Sequence, residues 1–187
     1  MAAWLLNKVI VATDDEGRAA SGRIVEVEAY GGADDGASHA HRGRTARNTS
    51  MFGRAGTLYV YFTYGMHCCA NVVTGAEGDG QAVLIRALEP LSGIESMRGL
   101  RIAARRDADL CNGPAKLCQA LGIDLSDDGS DLLDLRSHVR LVDDGVAPPR
   151  DPTRSRRIGI SRAVEEPWRL TVPGDPHVSR PRPPGRP

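Results

Sequence analysis

Two carboxylates and a tyrosine share one face of a predicted strand. In RIVEVEAY, residues 23–30, apolar and polar side chains alternate, so Glu26, Glu28 and Tyr30 point the same way. A carboxylate that faces an aromatic site can orient and deprotonate a water molecule, as a general base does. Such a face is solvated on most sheets, so surface acids are the alternative interpretation of this pair.

A second stretch combines aromatic and basic side chains. GTLYVYFTYGMHCCANVV, residues 56–73, alternates and then turns into another β-compatible run, which predicts a hairpin with Tyr64 at its tip. No acid occurs from Gly36 to Ala76. Cations for phosphates and a flat ring that fills a gap in the base stack are what a nucleic-acid wedge requires. The alternative is a hairpin whose tyrosines pack on its own core. The basic residues of this stretch are His39, His41, Arg42, Arg44, Arg47, Arg54 and His67.

Charge is distributed unevenly along the 187 residues. The 24 basic and 24 acidic side chains cancel, so the protein as a whole has no net charge to attract a polyanion. A polyanion site must therefore come from local segregation, such as the acid-free stretch set against the aspartates of residues 127–144. The length suits one domain, and the few aromatic residues imply a mainly aliphatic core.

Cysteine spacing and apolar runs argue against two further kinds of protein. The four cysteines form no C-x-x-C pair, so we expect free thiols in a reducing cytosol, with no metal and no cofactor. We find no signal peptide and no apolar run long enough to span a membrane. The chain is therefore expected to be cytoplasmic, without a membrane partner.

The first half of the chain predicts strands joined by one long connection. Residues 8–13 form a strand after the end of a helix, and residues 31–51 have so little apolar periodicity that a functional or disordered loop is expected. QAVLIRAL, residues 81–88, predicts a buried strand that the following Glu-Pro pair ends. Arg86 interrupts this strand, and an arginine there requires a carboxylate or a ligand.

The later part predicts two helices and two short strands. The first helix runs from Ile94 to Arg106, and the second is capped by Asn112 and ends at Gly122. Lys116 lies beside the free amides at the start of the second helix, where a phosphate could bind. A polar linker is expected at residues 143–157. Two short strands are expected after it, at residues 157–160 and 168–172.

The ordered set of motifs resembles one known family. It strongly resembles the alkyladenine (3-methyladenine) DNA glycosylases, over residues from about 23 to about 178. The motifs that carry the resemblance are E-A-Y at 28–30, His39, R-x-x-R-N-x-x-M-F at 44–52, G-T-L-Y-V-Y-x-x-Y-G-M at 56–66, Asn71, L-I-R-A-L-E-P at 84–90 and N-G-P-A-K-L-C-Q-A-L-G-I at 112–123.

The resemblance implies a fold, an activity and a partner. The fold class would be α+β, one compact mixed domain of residues 1–178 in which helices surround an antiparallel sheet with a protruding, DNA-intercalating hairpin. Residues 179–187 would form a disordered tail. The activity would be that of a monofunctional glycosylase in base excision repair, which flips alkylated or deaminated purines out of the duplex and hydrolyses the N-glycosidic bond. The partner would be double-stranded DNA with a damaged purine, bound by a monomer that associates with the bacterial nucleoid.

The resemblance also implies roles for catalytic and base-pocket residues. Glu28 matches the carboxylate that activates water, and Arg86 matches the arginine beside that water. The flipped base would lie between Tyr30 and His39. The third wall and the side chain that disfavours guanine would be Tyr61 and Asn71.

Other residues match positions that contact DNA. Tyr64 would enter the minor groove where the base has left, and Met66 and Lys116 would lie near or on the backbone. Arg42, Arg44 and Arg47 belong to the same expected DNA-binding surface.

Two further classes of protein compete with this interpretation. A non-catalytic nucleic-acid-binding module could use the aromatic hairpin as a wedge, but an acid beside its aromatics would repel phosphate. A glycoside hydrolase could use Glu26 and Glu28, but residues i and i+2 of a strand lie about 7 Å apart along one edge. They could not take opposite faces of a sugar.

Overall fold

Eight strands form one antiparallel sheet in the computed structural model, which describes residues 1–63 and 65–179. The strands are β1 Val9–Thr13, β2 Ala19–Tyr30, β3 Leu58–Thr63, β4 His67–Thr74, β5 Gln81–Ser92, β6 Val139–Val142, β7 Thr153–Ser155 and β8 Arg169–Thr171. Their order is β3-β4-β5-β2-β1-β6, and β8 pairs with both β2 and β7.

Short helices cover this sheet. The described α-helices are α1 Ala2–Leu5, α2 Ile94–Leu100 and α3 Pro114–Leu121. The described 3-10 helices are Gly32–Asp34, Ala46–Phe52, Asp107–Asp109 and Leu125–Asp127. α3 packs its buried face against β4 and β5. One domain with an antiparallel sheet and a few helices confirms the predicted α+β class.

An irregularity in β2 changes the expected alternation. Its pairing with β5 shifts register between Ile24 and Glu26 and again between Glu26 and Val27, as at a β-bulge. Ile24 and Val27, three residues apart, consequently belong to the same core cluster. Strict alternation along residues 23–30 predicts opposite faces for these two residues, and the bulge makes that prediction wrong. The interpretation of Glu26 and Glu28 as surface acids was also wrong, because both are 0% exposed.

The hairpin is present with the predicted alternation. β3 pairs with β4 from Leu58 opposite Val72 to Thr63 opposite His67. In β3, Leu58 and Val60 join the main core, whereas Tyr59 and Tyr61 belong to a second, smaller cluster. Tyr64, the predicted tip residue, lies outside the described residues.

Residues 129–132 close the sheet between its two terminal strands. The Leu58 amide in β3 donates to the carbonyl of Ser130 at 2.8 Å, and the Leu132 amide donates to Gly56 at 3.0 Å. On the other side, the Leu141 amide in β6 donates to the Leu132 carbonyl at 2.9 Å. The sheet therefore curls around the main core.

The predicted helices begin and end differently from expectation. The first ends at Leu100 instead of Arg106, and Ile102 is 91% exposed. The chain turns back here, and Arg98 pairs with Asp107 at 2.7 Å across the turn. The N-cap of the second helix is Gly113, not Asn112, with proline at the first helical position. Its predicted end at Gly122 is confirmed by a left-handed φ of 69°.

Three strand predictions also require correction. β5 continues past Glu89, because Pro90 lies opposite Gly22 at a register shift, where a missing amide is tolerated. The strand predicted at 157–160 is instead β7, residues 153–155, because the following segment turns inward. β6 was not predicted. The connection 31–51 contains two 3-10 helices.

Candidate active site

A cavity of about 490 Å³ opens beside the hairpin and the end of β2. This volume falls within the roughly 300–1,000 Å³ of typical small-ligand pockets. The predicted residues that line it are Tyr30, His39, Tyr61, Asn71 and Arg86. The fold therefore brings together all four predicted base-pocket residues and the predicted arginine.

Glu28 lies beneath this cavity and does not form part of its wall. One carboxylate oxygen, Oε2, accepts hydrogen bonds from the Tyr30 hydroxyl at 3.0 Å and from Arg86 at 3.2 Å. The other, Oε1, accepts from the backbone amide of Ile158 at 2.7 Å. These three donors all belong to cavity-lining residues, so the carboxylate is oriented by the same groups that enclose the cavity.

Arg86 is shared between two glutamates. Besides Glu28, it donates through Nε to Glu26 Oε1 at 3.1 Å. Glu26 also accepts from Arg169 at 2.6 Å and from the amide and hydroxyl of Ser179 at 2.6 and 2.8 Å. The sequence predicted a carboxylate partner for the buried Arg86, and the structure provides two, Glu26 and Glu28. Ser179, expected to open the tail, is instead buried, and residues 180–187 lie outside the described residues.

His39 is fixed by two tyrosines. Its Nδ1 lies 2.9 Å from the Tyr59 hydroxyl, and its ring meets Tyr61 edge-on with centroids 4.5 Å apart. Burial lowers the pKa of His39, and nearby Arg47 lowers it further. At neutral pH the imidazole is therefore uncharged and presents an aromatic face to the cavity. Tyr59 was not assigned to the site from the sequence, although it shares its strand face with Tyr61.

The tyrosines of the cavity keep their protons. Burial raises the pKa of Tyr30, and the Glu28 carboxylate raises it further. Burial likewise raises the pKa of Tyr59 to about 12 and the pKa of Tyr61. The Tyr30 hydroxyl is therefore a donor to Glu28 at any physiological pH.

Sequence analysis missed one wall of the cavity and one organiser of its loop. The missed wall consists of residues 158–162, which line the cavity together with Tyr30 at the end of β2. These two parts of the wall are more than 120 residues apart in the chain. The buried side chain of Asn48 donates to the carbonyls of His39 at 2.9 Å and Gly43 at 3.1 Å. It thereby holds the His39 loop. Asn48 belongs to the R-x-x-R-N motif, which was the available signal.

A second, basic groove of about 530 Å³ adjoins the cavity. Gly36, His39, Tyr59 and Arg162 line both spaces, and Arg42 and Arg47 line the groove. The predicted DNA-binding residue Arg44 is exposed but does not line the groove, and Arg54 is paired with Asp131.

The remaining predicted DNA contacts flank the site. Met66, in the turn of the hairpin, is 69% exposed. Lys116 donates to the Asn112 side chain at 2.6 Å, and burial lowers its pKa. It lies two residues from Pro114, which lines the cavity. Asn71 faces the cavity and donates to the Tyr59 carbonyl at 3.0 Å.

Aromatic walls above a buried carboxylate–guanidinium pair define a class of site, one whose shape and chemistry suit a flat ring beside an oriented carboxylate. Comparison with known proteins identifies the family. Residues 1–176 match the family described as methylpurine-DNA glycosylase. The chain belongs to this family.

Curated relatives agree with the family match. A Burkholderia lata protein named "Putative 3-methyladenine DNA glycosylase" is 56% identical over 181 residues, which cover 97% of this chain and 86% of the relative. Proteins of the same name from Francisella tularensis subsp. tularensis and Nocardia farcinica are 49% and 48% identical. The Francisella match covers 85% of this chain and 82% of the relative. The Nocardia match covers 87% of this chain and 81% of the relative.

The described residues lack two kinds of feature. No helix among them is long and apolar enough to cross a membrane. They contain no group of three or more His, Cys, Asp or Glu side chains that could hold a metal ion.

Proposed function

We propose that this protein is a monofunctional DNA glycosylase. It flips alkylated or deaminated purines out of duplex DNA and hydrolyses their N-glycosidic bond in base excision repair. It acts as a monomer on double-stranded DNA, in a cytoplasm of bacterial type, and associates with the nucleoid through that DNA.

One observation carries the proposal: the Glu28 carboxylate is held by Tyr30, Arg86 and the Ile158 amide beneath an aromatic cavity. A module that only bound DNA would gain nothing from a buried carboxylate oriented in this way. The non-catalytic wedge is therefore not favoured. A positioned general base contributes about 10²–10⁴-fold to a rate, so Glu28 is the residue that activates water.

The aromatic cavity receives the flipped base. Extrusion costs a few kcal/mol, and stacking on aromatic side chains returns roughly 1–3 kcal/mol per base. We place the base between Tyr30 and the touching pair of His39 and Tyr61. We assign to Asn71 the crowding of the exocyclic amine of guanine, because its side chain lines the cavity.

The reaction is a hydrolysis at C1′. Alkylation at N3 or N7 makes the purine cationic and a good leaving group. As the N-glycosidic bond breaks, its electrons go to the departing base. An alkylated base then leaves neutral, whereas a deaminated base must also take up a proton from solvent as it leaves. Water, held by Glu28 and Arg86, adds to C1′, and Glu28 takes its proton.

Duplex DNA is held by the hairpin and the basic groove. Tyr64 fills the gap left by the base, with Met66 beside it. Arg42, Arg47 and the more distant Arg44 contact phosphates, as does Lys116 on the other side of the cavity. Electrostatic contacts of this kind carry most non-specific DNA affinity.

We infer the absence of lyase activity from the small number of side chains that could act as an amine nucleophile. A lyase forms a Schiff base through an amine nucleophile. The only lysines are Lys8, which pairs with Asp143 at 2.8 Å, and Lys116, which donates to Asn112. Arginine stays protonated and cannot serve. We assign water as the nucleophile, because a phosphate contact is the simpler role for Lys116, and the expected product is an intact strand with an abasic site.

The test uses duplexes that each carry one defined lesion: 3-methyladenine, 7-methylguanine, hypoxanthine or etheno-adenine. Base release from at least one of them, without backbone cleavage and without a protein–DNA adduct in borohydride, is expected. Release from none would contradict the glycosylase. A trapped adduct that disappears in Lys116→Arg would show a lyase.

A further inference from the structure

A buried arginine lies directly behind the Tyr30 ring. The Arg157 side chain is 0% exposed, with its guanidinium carbon 4.8 Å from the centre of the Tyr30 ring and 5.0 Å from that of Trp168. Tyr30 lines the cavity and Arg157 does not. The Tyr30 ring thus carries a buried cation on one face, and we take the other face to be the one that a ligand meets.

The position of Arg157 is fixed by bonds to three segments. It donates to both carboxylate oxygens of Asp35, at 2.5 and 2.9 Å. It also donates to the carbonyls of Ala29 in β2 at 2.9 Å and Ala163 at 3.3 Å. These bonds leave the guanidinium no freedom to move away from the ring when a base enters.

The charges around the cavity floor are matched in number. Three buried carboxylates, Glu26, Glu28 and Asp35, are bonded to three guanidinium groups, those of Arg86, Arg169 and Arg157. The floor therefore offers no surplus negative charge to a cationic base. What remains is the attraction of the ring faces for a cation, and a guanidinium on the far face of Tyr30 opposes that attraction.

We infer that Arg157, acting through Tyr30, restrains the preference of the pocket for cationic bases, so that neutral purine lesions are accepted as well. The inference rests on the proposed glycosylase function and adds a specificity-determining residue to it. Asp35 partly offsets the charge of Arg157. Removing either member of the pair should therefore shift specificity in opposite directions.

The experiment compares single-turnover excision of 7-methylguanine, which is cationic, with excision of neutral hypoxanthine, in duplexes of one sequence. The measured quantity is the ratio of the two rates on the same enzyme preparation, which does not depend on the active fraction. Arg157→Met should raise the cationic-to-neutral ratio about fivefold, on the scale of a partly desolvated cation–π contact. Asp35→Asn should lower it, because the positive charge behind the ring is then uncompensated.

Two further variants serve as controls. Arg157→Lys keeps the charge and should keep a ratio close to that of the wild type. The double variant Arg157→Met/Asp35→Asn leaves no buried unpaired charge, so it tests the inference if Arg157→Met unfolds. Its ratio should lie between those of the wild type and Arg157→Met.

Three results would overturn the inference. Rates that fall together at a constant ratio would make Arg157 a purely structural residue. A wild-type enzyme that excises 7-methylguanine and not hypoxanthine would show that no restraint operates. Excision of neither lesion, nor of the others named above, would contradict the glycosylase function itself.

Discussion

Glu28 is oriented before any substrate arrives. Its two oxygens meet a phenol, a guanidinium and a backbone amide, and the residue is closed to solvent. Preorganised groups of this kind need no rearrangement during the reaction, which is where much of the catalytic advantage of an enzyme site arises.

Replacing Glu28 by glutamine should separate binding from chemistry. Glu28→Gln keeps the size of the side chain and removes the basic oxygen, so single-turnover base release should fall by about 10²–10⁴-fold while duplex affinity is retained. Glu77→Gln, on the exposed loop between β4 and β5, is the matched control and should behave as wild type. Near-normal excision by Glu28→Gln would remove this residue from the mechanism.

His39 should make stability depend on pH. Its pKa is lower in the folded protein because of burial, so its contribution is fully present above the ordinary imidazole pKa of about 6.5. As the pH falls through this value and towards the folded pKa, the unfolded chain binds the proton first and stability is lost. Urea unfolding between pH 7 and pH 5 should therefore show a smaller loss of stability for His39→Gln than for the wild type. His41→Gln, an exposed histidine of the same loop, is the control, and equal losses in wild type and His39→Gln would contradict the prediction.

Some residues of the candidate site could be predicted from their sequence context, and others could not. Glu28 and Tyr30 were assigned together because strand alternation places neighbours two apart on one face. Arg157 and Ile158 were not, because the segment that brings them to β2 has no periodicity and its contacts are long-range. The burial of Glu26 was missed because it depends on Ser179 at the other end of the chain.

Among the structural elements, the hairpin carries the largest functional expectation. Both of its strands were predicted, since alternation and a turn are local signals. The bulge in β2 was not, because a register shift is decided by the partner strand. The first of the two predicted helices was overextended, because Ile102, the last residue of its apolar pattern, is 91% exposed and has no core to pack against.

The hairpin tip should act after the base has left the helix. Tyr64→Ala removes the ring that fills the gap, so the flipped state should weaken more than the initial complex. Fluorescence of a base analogue at the lesion reports extrusion, and titration of undamaged duplex reports initial binding. Tyr64→Phe keeps the ring and is the matched control. Equal weakening of both measurements in Tyr64→Ala would make Tyr64 an ordinary contact.

At the scale of the whole molecule, zero net charge conceals a basic groove. Association with duplex DNA should still weaken steeply with salt, because counterions are released where phosphates meet the arginines. Arg42→Gln and Arg47→Gln should each reduce the log–log salt slope by about one. Arg54→Gln should change it less, because Asp131 already pairs with this side chain. A wild-type slope near zero would argue against the groove as the DNA site.

The segment of residues 129–132 has a consequence for the survival of the protein in a crowded cell. The outer strands of a sheet present unpaired backbone groups that recruit strands from other molecules, and such recruitment leads to aggregation. Here one short segment forms backbone hydrogen bonds with both edge strands, β3 and β6. A local unfolding event that releases this segment would expose the edges of both strands at once. Protection against self-association therefore depends on a single segment of four residues.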